Sequence, residues 1–190
     1  MENKSKNKKK MSGPAIFMNT VIWVCIAIFS VCFYLYYIKK SGNSAVLWTG
    51  IVTFMIVYHF LLRLVFGNIS KHINIDYKWS FFSEQKFEKK LYSFLKVKKW
   101  KGKALTYNPE QFSLKTNSLK GICTVMAKSE LDHWINEIIS VVSIFFSLIW
   151  GQFPIFLLTA IAAMIFDMQF IIIQRYNRPR VLKILTKLAV

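Results

Sequence analysis

The sequence predicts an all-α membrane protein: four transmembrane helices plus a cytoplasmic or interfacial amphipathic helical segment. Three observations carry that expectation. Hydrophobic residues make up 54% of the 190 positions, with 17 Phe, 8 Tyr and 6 Trp, yet the formal net charge is +17. Long apolar runs match the roughly 20 helical residues that a hydrocarbon core requires. The Lys and Arg residues gather beside those runs rather than within them. A soluble domain this apolar has no way to cover its surface, whereas lipid accommodates the apolar residues and the interface accommodates the cations. No basic stretch stands clear of the apolar segments, so nucleic acid is not an expected partner.

The elements follow in order as one membrane domain over 1–190. Lys4, Lys6, Lys8, Lys9 and Lys10 precede an apolar run over 15–38. That run exceeds the roughly 7–15 residues of a signal-peptide core and meets no small-residue cleavage site, so it reads as a retained first helix. A second span over 45–66 follows a short loop. The third, over 131–150, is long enough only if it takes in Asp132, His133, Asn136 and Glu137. The fourth, over 153–174, opens with Pro154, which the first turn of a helix tolerates. Cys25 and Cys32 sit on one apolar run and Cys123 in the basic centre, without C-x-x-C spacing, so they read as small apolar side chains.

Charge sets the expected orientation. The N-terminal tail carries five Lys, the stretch 68–130 carries thirteen Lys, and the segment from Gln174 carries five Lys or Arg. The loop 39–44 holds two and the turn 151–152 none. Positive charge collects on the cytoplasmic side, giving a multi-pass cell-membrane protein with both termini and the 68–130 stretch inside. Within that stretch Phe87, Leu91, Phe94 and Leu95 share one helical face. Such a helix either lies in the membrane interface or packs by that face beneath the helices.

Ionisable groups in or near spans are costly unless paired or wetted, and therefore informative. His59 and Arg63 share a face of the second span, and Glu130, His133 and Glu137 share a face where the third begins. Asp167 lies on the fourth, followed by Gln174, Arg175, Asn177, Arg178 and Arg180. With the expected topology all of them fall in the inner half of the membrane or at its cytoplasmic surface. Each admits a structural role: a snorkelling Arg, a core His, an Arg63–Asp167 ion pair. Their common depth favours a polar site. Glu130-x-x-His133 is half of a carboxylate-bridged metal pattern, but no second copy exists among three His, so neither metal nor cofactor is expected. No Gly-rich phosphate loop, G-x-S-x-G or H-E-x-x-H occurs.

Three segments, KVKKWKGKAL at 96–105, AKSELDHW at 127–134 and IIIQRYNRPR at 171–180, resemble the small membrane family of glycosyl-4,4'-diaponeurosporenoate acyltransferases. The resemblance implies a transferase of carotenoid biosynthesis that esterifies a fatty acyl chain to a sugar hydroxyl. It places Glu130, His133, Gln174, Arg175, Tyr176, Asn177, Arg178 and Arg180 on motif positions. Expected partners are membrane lipid, an acyl donor of the acyl-CoA or acyl-carrier type, and a hydroxyl acceptor at the inner leaflet. His133 is the candidate base, oriented by Glu130 or Glu137, because acyl transfer needs a proton acceptor of near-neutral pKa. Arg63, His59, Glu137, Asp167, Gln174, Arg175, Asn177, Arg178 and Arg180 are the candidate substrate-binding residues. The competing reading is a non-catalytic membrane interaction or immunity-like protein whose polar cluster only holds helices together.

Overall fold

The computed structural model describes residues 13–104, 106 and 109–188. The Lys-rich tail at 4–10 lies outside the described residues. Among these, four helices are long and apolar enough to cross a membrane, as the sequence leads one to expect. The chain divides into two compact units, Met1–Phe60 and Leu61–Val190.

In the first unit, α1 (Gly13–Phe33) continues through a π-helical turn, Tyr34–Ile38, into a tight loop. Lys40 and Gly42 take left-handed backbone angles there, and the Asn43 side chain accepts a hydrogen bond from the Ala45 amide as α2 (Ser44–Ser70) begins. Gly50 lets the hairpin close. A Cβ at that position would stand 2.7 Å from the Phe33 ring. Phe29 and Phe54 meet edge to face nearby.

The second unit holds the end of α2, two short helices, α3 (Glu88–Phe94) and α4 (Val97–Trp100), and the antiparallel pair of α5 (Leu119–Ser143) and α7 (Phe153–Lys187). A 3-10 turn, Ile144–Phe146, and α6 (Ser147–Trp150) extend α5 to the two-residue reversal at Gly151 and Gln152, both with positive φ.

Both helices outrun the spans read from the sequence. The third begins at Leu119 rather than 131, because Ser118 caps it by accepting from the Gly121 amide at 3.1 Å and Ile122, Cys123, Met126 and Ala127 form a buried stripe. The fourth runs to Lys187 rather than 174, straight through Pro179, which leaves the Arg175 carbonyl without its helical donor. At about 1.5 Å per residue the 32 and 35 residues measure roughly 48 and 52 Å, against a hydrocarbon core of about 30 Å. Each helix therefore carries several turns beyond the apolar core.

Ser140, Ser143 and Ala160 are fully buried, so small side chains let the α5 and α7 backbones approach. The two serine hydroxyls turn back onto their own helix, to the Asn136 and Ser140 carbonyls at 2.9 and 2.7 Å.

The face of α3 that is buried is not its apolar one. Glu88 and Tyr92 point inward, while Phe87 and Phe94 stay exposed. The reason is chemical: the neighbouring surface of α7 offers a guanidinium and a tyrosine ring, which suit a carboxylate and an aromatic partner. Of the Phe87–Leu91–Phe94–Leu95 face only Leu95 joins the packing, against Tyr92, Val97 and Tyr176, while Phe87 and Phe94 do not.

Candidate functional site

Two polar constellations lie in the second unit. The first ties the segment around 81–101 to the ends of α5 and α7. Glu130, fully buried, receives Arg175 Nη1 on Oε1 at 2.6 Å and Arg178 Nη1 on Oε2 at 2.5 Å. Arg175 also reaches Glu88 Oε1 and the carbonyls of Phe81 and Ser83. Arg178, 1% exposed, donates to the Phe82 carbonyl and lies over the Phe82 ring at 4.9 Å. A carboxylate facing two guanidiniums is neutralised and hydrogen-bonded on both oxygens, as a buried charge must be.

The other residues of the 174–180 motif have similar partners. Gln174 reaches the Ser129 hydroxyl at 3.4 Å, the Tyr176 ring meets Tyr92 edge-on, and Asn177 Oδ1 accepts from Lys101 Nζ at 2.6 Å. Arg180 is exposed; it donates to the Tyr176 carbonyl and covers one side of that ring, with Lys101 also over the ring at 4.8 Å. Burial, then Arg180 and Lys98, push the Lys101 pKa down, the mark of crowded cations. The Tyr92 phenol is pushed up by burial and by Glu88, whose carboxylate accepts its hydroxyl at 3.0 Å.

The second constellation centres on Asp167, fully buried on α7. Arg63 donates to Oδ2, completing the ion pair anticipated from sequence. His133 Nδ1 stands 2.7 Å from Oδ1, and Asn136 Nδ2 donates to the same oxygen at 3.0 Å. The His133 ring stacks on Phe170 with centroids 4.7 Å apart and keeps 21% of its side-chain surface open.

The expected partner of His133 is thereby corrected. Neither Glu130 nor Glu137 orients it; Asp167 does, because α7 brings that carboxylate opposite α5 while Glu130 turns to Arg175 and Arg178. Glu137 lies close enough to Asp167 and Arg63 to feel both charges, yet among the described residues neither of its buried oxygens has a hydrogen-bond partner. It borders a cavity of about 450 Å³ between α4, α5 and α7. His59 belongs to the first unit, where it is buried and meets the Tyr58 ring edge-on.

Of the sequence-derived residues, Arg63, His133 and Asp167 converge with Glu137 beside them; Glu130, Arg175 and Arg178 form a separate cluster with Glu88, and Gln174, Asn177 and Arg180 flank it. Asn136 and Glu88 were not singled out. Asn136 lies three residues after His133, one helical turn along the same face, which was the available signal. Glu88 carried no comparable signal. Among the described residues no group of three His, Cys, Asp or Glu converges as a metal would require.

The family model of glycosyl-4,4'-diaponeurosporenoate acyltransferases matches residues 78–187. The chain belongs to that family. The matched region takes in both constellations apart from Arg63, along with α3, α4, α5 and α7. The family's name implies acyl transfer and, with four membrane-length helices, marks a membrane transferase. Neither a curated protein nor a solved structure matches the chain.

Proposed function

We propose that this protein is a membrane acyltransferase that moves a fatty acyl chain from an acyl thioester onto a hydroxyl of a lipid-linked or glycosylated acceptor at the inner leaflet. The acceptor class follows the family name, acylation of a glycosyl carotenoid. The observation that carries the reading is the His133–Asp167 pair at 2.7 Å. With Nδ1–H donated to Asp167, the lone pair of Nε2 is available to a hydroxyl. Arg63 and Asn136 hold Asp167, and Phe170 holds the ring, so the base is fixed in one tautomer and one orientation.

The step runs as follows. Nε2 of His133 accepts the hydroxyl proton while the oxygen attacks the thioester carbon. That attack forms the new C–O bond and leaves a tetrahedral oxyanion, which collapses by re-forming C=O and breaking C–S. Nε2 then passes its proton to the departing thiolate. Asp167 stabilises the transient imidazolium, which appears between the two transfers. Lys98, Lys101 and Arg180 supply a cationic patch for an anionic donor such as acyl-CoA or an acyl carrier, drawn also by the basic surface of the cytoplasmic stretch. In this reading Glu130, Arg175, Arg178 and Glu88 hold the segment that carries this patch against α5 and α7. The exposed Phe87 and Phe94, with Trp79 and Phe81, suit an interfacial position for it, and the Lys/Arg distribution supports cytoplasmic termini.

The test is acyl transfer by purified, reconstituted protein with a long-chain acyl-CoA and a glycosylated lipid. His133→Ala is expected to lose about 10²–10⁴-fold in rate with normal abundance and insertion, and Asp167→Asn to lose activity together with some stability, since Arg63 is left unpaired. Full activity of His133→Ala would overturn the assignment. Loss of the protein rather than of its activity would favour the non-catalytic reading.

A further inference from the structure

Glu137 is 5% exposed, both its oxygens are buried without a hydrogen-bond partner among the described residues, and its side chain borders the cavity of about 450 Å³. A carboxyl group in such a place is expensive, and an apolar residue would fit α5 better. The remaining walls are mostly apolar: Met168, Ile165 and Ile172 from α7, with Trp100 of α4 and the Gln169 amide as the other polar-bearing side chains. A second cavity, about 440 Å³, shares Trp100, Ile165 and Gln169 and prolongs the groove along α7.

The geometry points to this groove as the binding site for the uncharged, hydroxyl-bearing head of an amphiphile, with its apolar chain laid along α7 and one hydroxyl on Glu137. The volume lies in the ordinary range for small-ligand sites, which are largely apolar with a few polar groups fixing orientation. The polar groups decide the class. A hydroxyl donates to a carboxylate and pairs with the Gln169 amide. Among the described residues no Lys or Arg lines either cavity, and the nearby Arg63 is paired with Asp167, so a phosphate headgroup there would face the Glu137 carboxyl with no cation in the groove wall. The cations for a phosphate-bearing donor are at Lys98, Lys101 and Arg180 instead. The two substrates thus part by charge: the anionic donor at the basic end, the neutral acceptor in the groove. The word acceptor rests on the acyl-transfer reading; the binding class rests on the groove alone.

The experiment measures saturable binding of a radiolabelled monoglucosyl diacylglycerol to the full chain in nanodiscs, with phosphatidylglycerol of the same acyl chains as competitor. The parent protein is expected to bind saturably. Glu137→Leu is expected to weaken binding roughly 10- to 100-fold, the worth of one hydrogen bond to a charged group. It should also melt higher than the parent, because it removes an unpartnered carboxyl. Ile165→Trp, which puts a larger side chain where the two cavities meet, is expected to weaken binding sharply while leaving Glu137 in place. Unchanged binding by Glu137→Leu and Ile165→Trp, equal competition by phosphatidylglycerol, or a lower melting temperature of Glu137→Leu would each overturn the proposal. An active His133→Ala that still binds through Glu137 would sink the catalytic reading and leave this one standing.

Discussion

Replacing Arg178 with Ala isolates the energetic role of the buried arginine–carboxylate cluster. Arg178 is 1% exposed, and the change removes its bonds to Glu130 Oε2 and the Phe82 carbonyl together with its contact over the Phe82 ring. Glu130 keeps only Arg175. Breaking one partner from a buried pair costs about 3–5 kcal/mol; here Glu130 Oε2 and the Phe82 carbonyl both lose a buried donor, although Arg175 still faces Oε1. At roughly 2–4 °C per kcal/mol for a chain of this size, the melting temperature should fall by about 6–20 °C. Cys123 is fully buried on α5 and reports the transition through its reaction with a thiol dye, once Cys25 and Cys32 are changed to Ser. Arg178→Lys should recover only part of the loss, since an ammonium cannot present the guanidinium fork. The double variant Glu130→Leu with Arg178→Met should melt above Arg178→Ala, because no buried carboxylate oxygen is left without a donor and Arg175 keeps Glu88. A melting temperature for Arg178→Ala within about 2 °C of the parent, or a double variant less stable than Arg178→Ala, would refute the reasoning.

Two other outcomes are expected. Tyr92 has its folded pKa raised above the usual 10.0, so the stability it contributes is fully present below that value and is lost as pH rises above it; Tyr92→Phe should flatten the decline in melting temperature between about pH 10 and 11.5, and an unchanged slope would contradict the burial argument. Reporters fused after Lys10, near Lys99 and after Val190 should all read cytoplasm, and one at Gly42–Asn43 outside, from the Lys/Arg distribution; a cytoplasmic signal at Gly42–Asn43 would reverse the topology.

The four membrane-length helices, the short turns between the first and last pairs and the family were legible in the sequence, because each depends on local properties. A run of apolar residues either exceeds the thickness of a hydrocarbon core or does not, and no tertiary contact changes that. That Arg63, His133 and Asp167 would meet was expected from the order and alternating direction of the spans, which bring those positions to one level. The partner of each α5 group was not. Glu130, His133 and Glu137 share a face of one helix, but the rotation of α7 against α5 decides which of them meets Asp167 and which meets Arg175 and Arg178. Helix ends were equally non-local: α5 and α7 run past the apolar core because buried contacts on 122–127 and 174–178 sustain them, where hydropathy counts only the part in lipid. The inward face of α3 was set the same way. Its Phe87 and Phe94 look like the buried side, yet Arg175 and Tyr176 draw in Glu88 and Tyr92, since a buried guanidinium must find a carboxylate and an exposed phenylalanine at a membrane surface need find nothing.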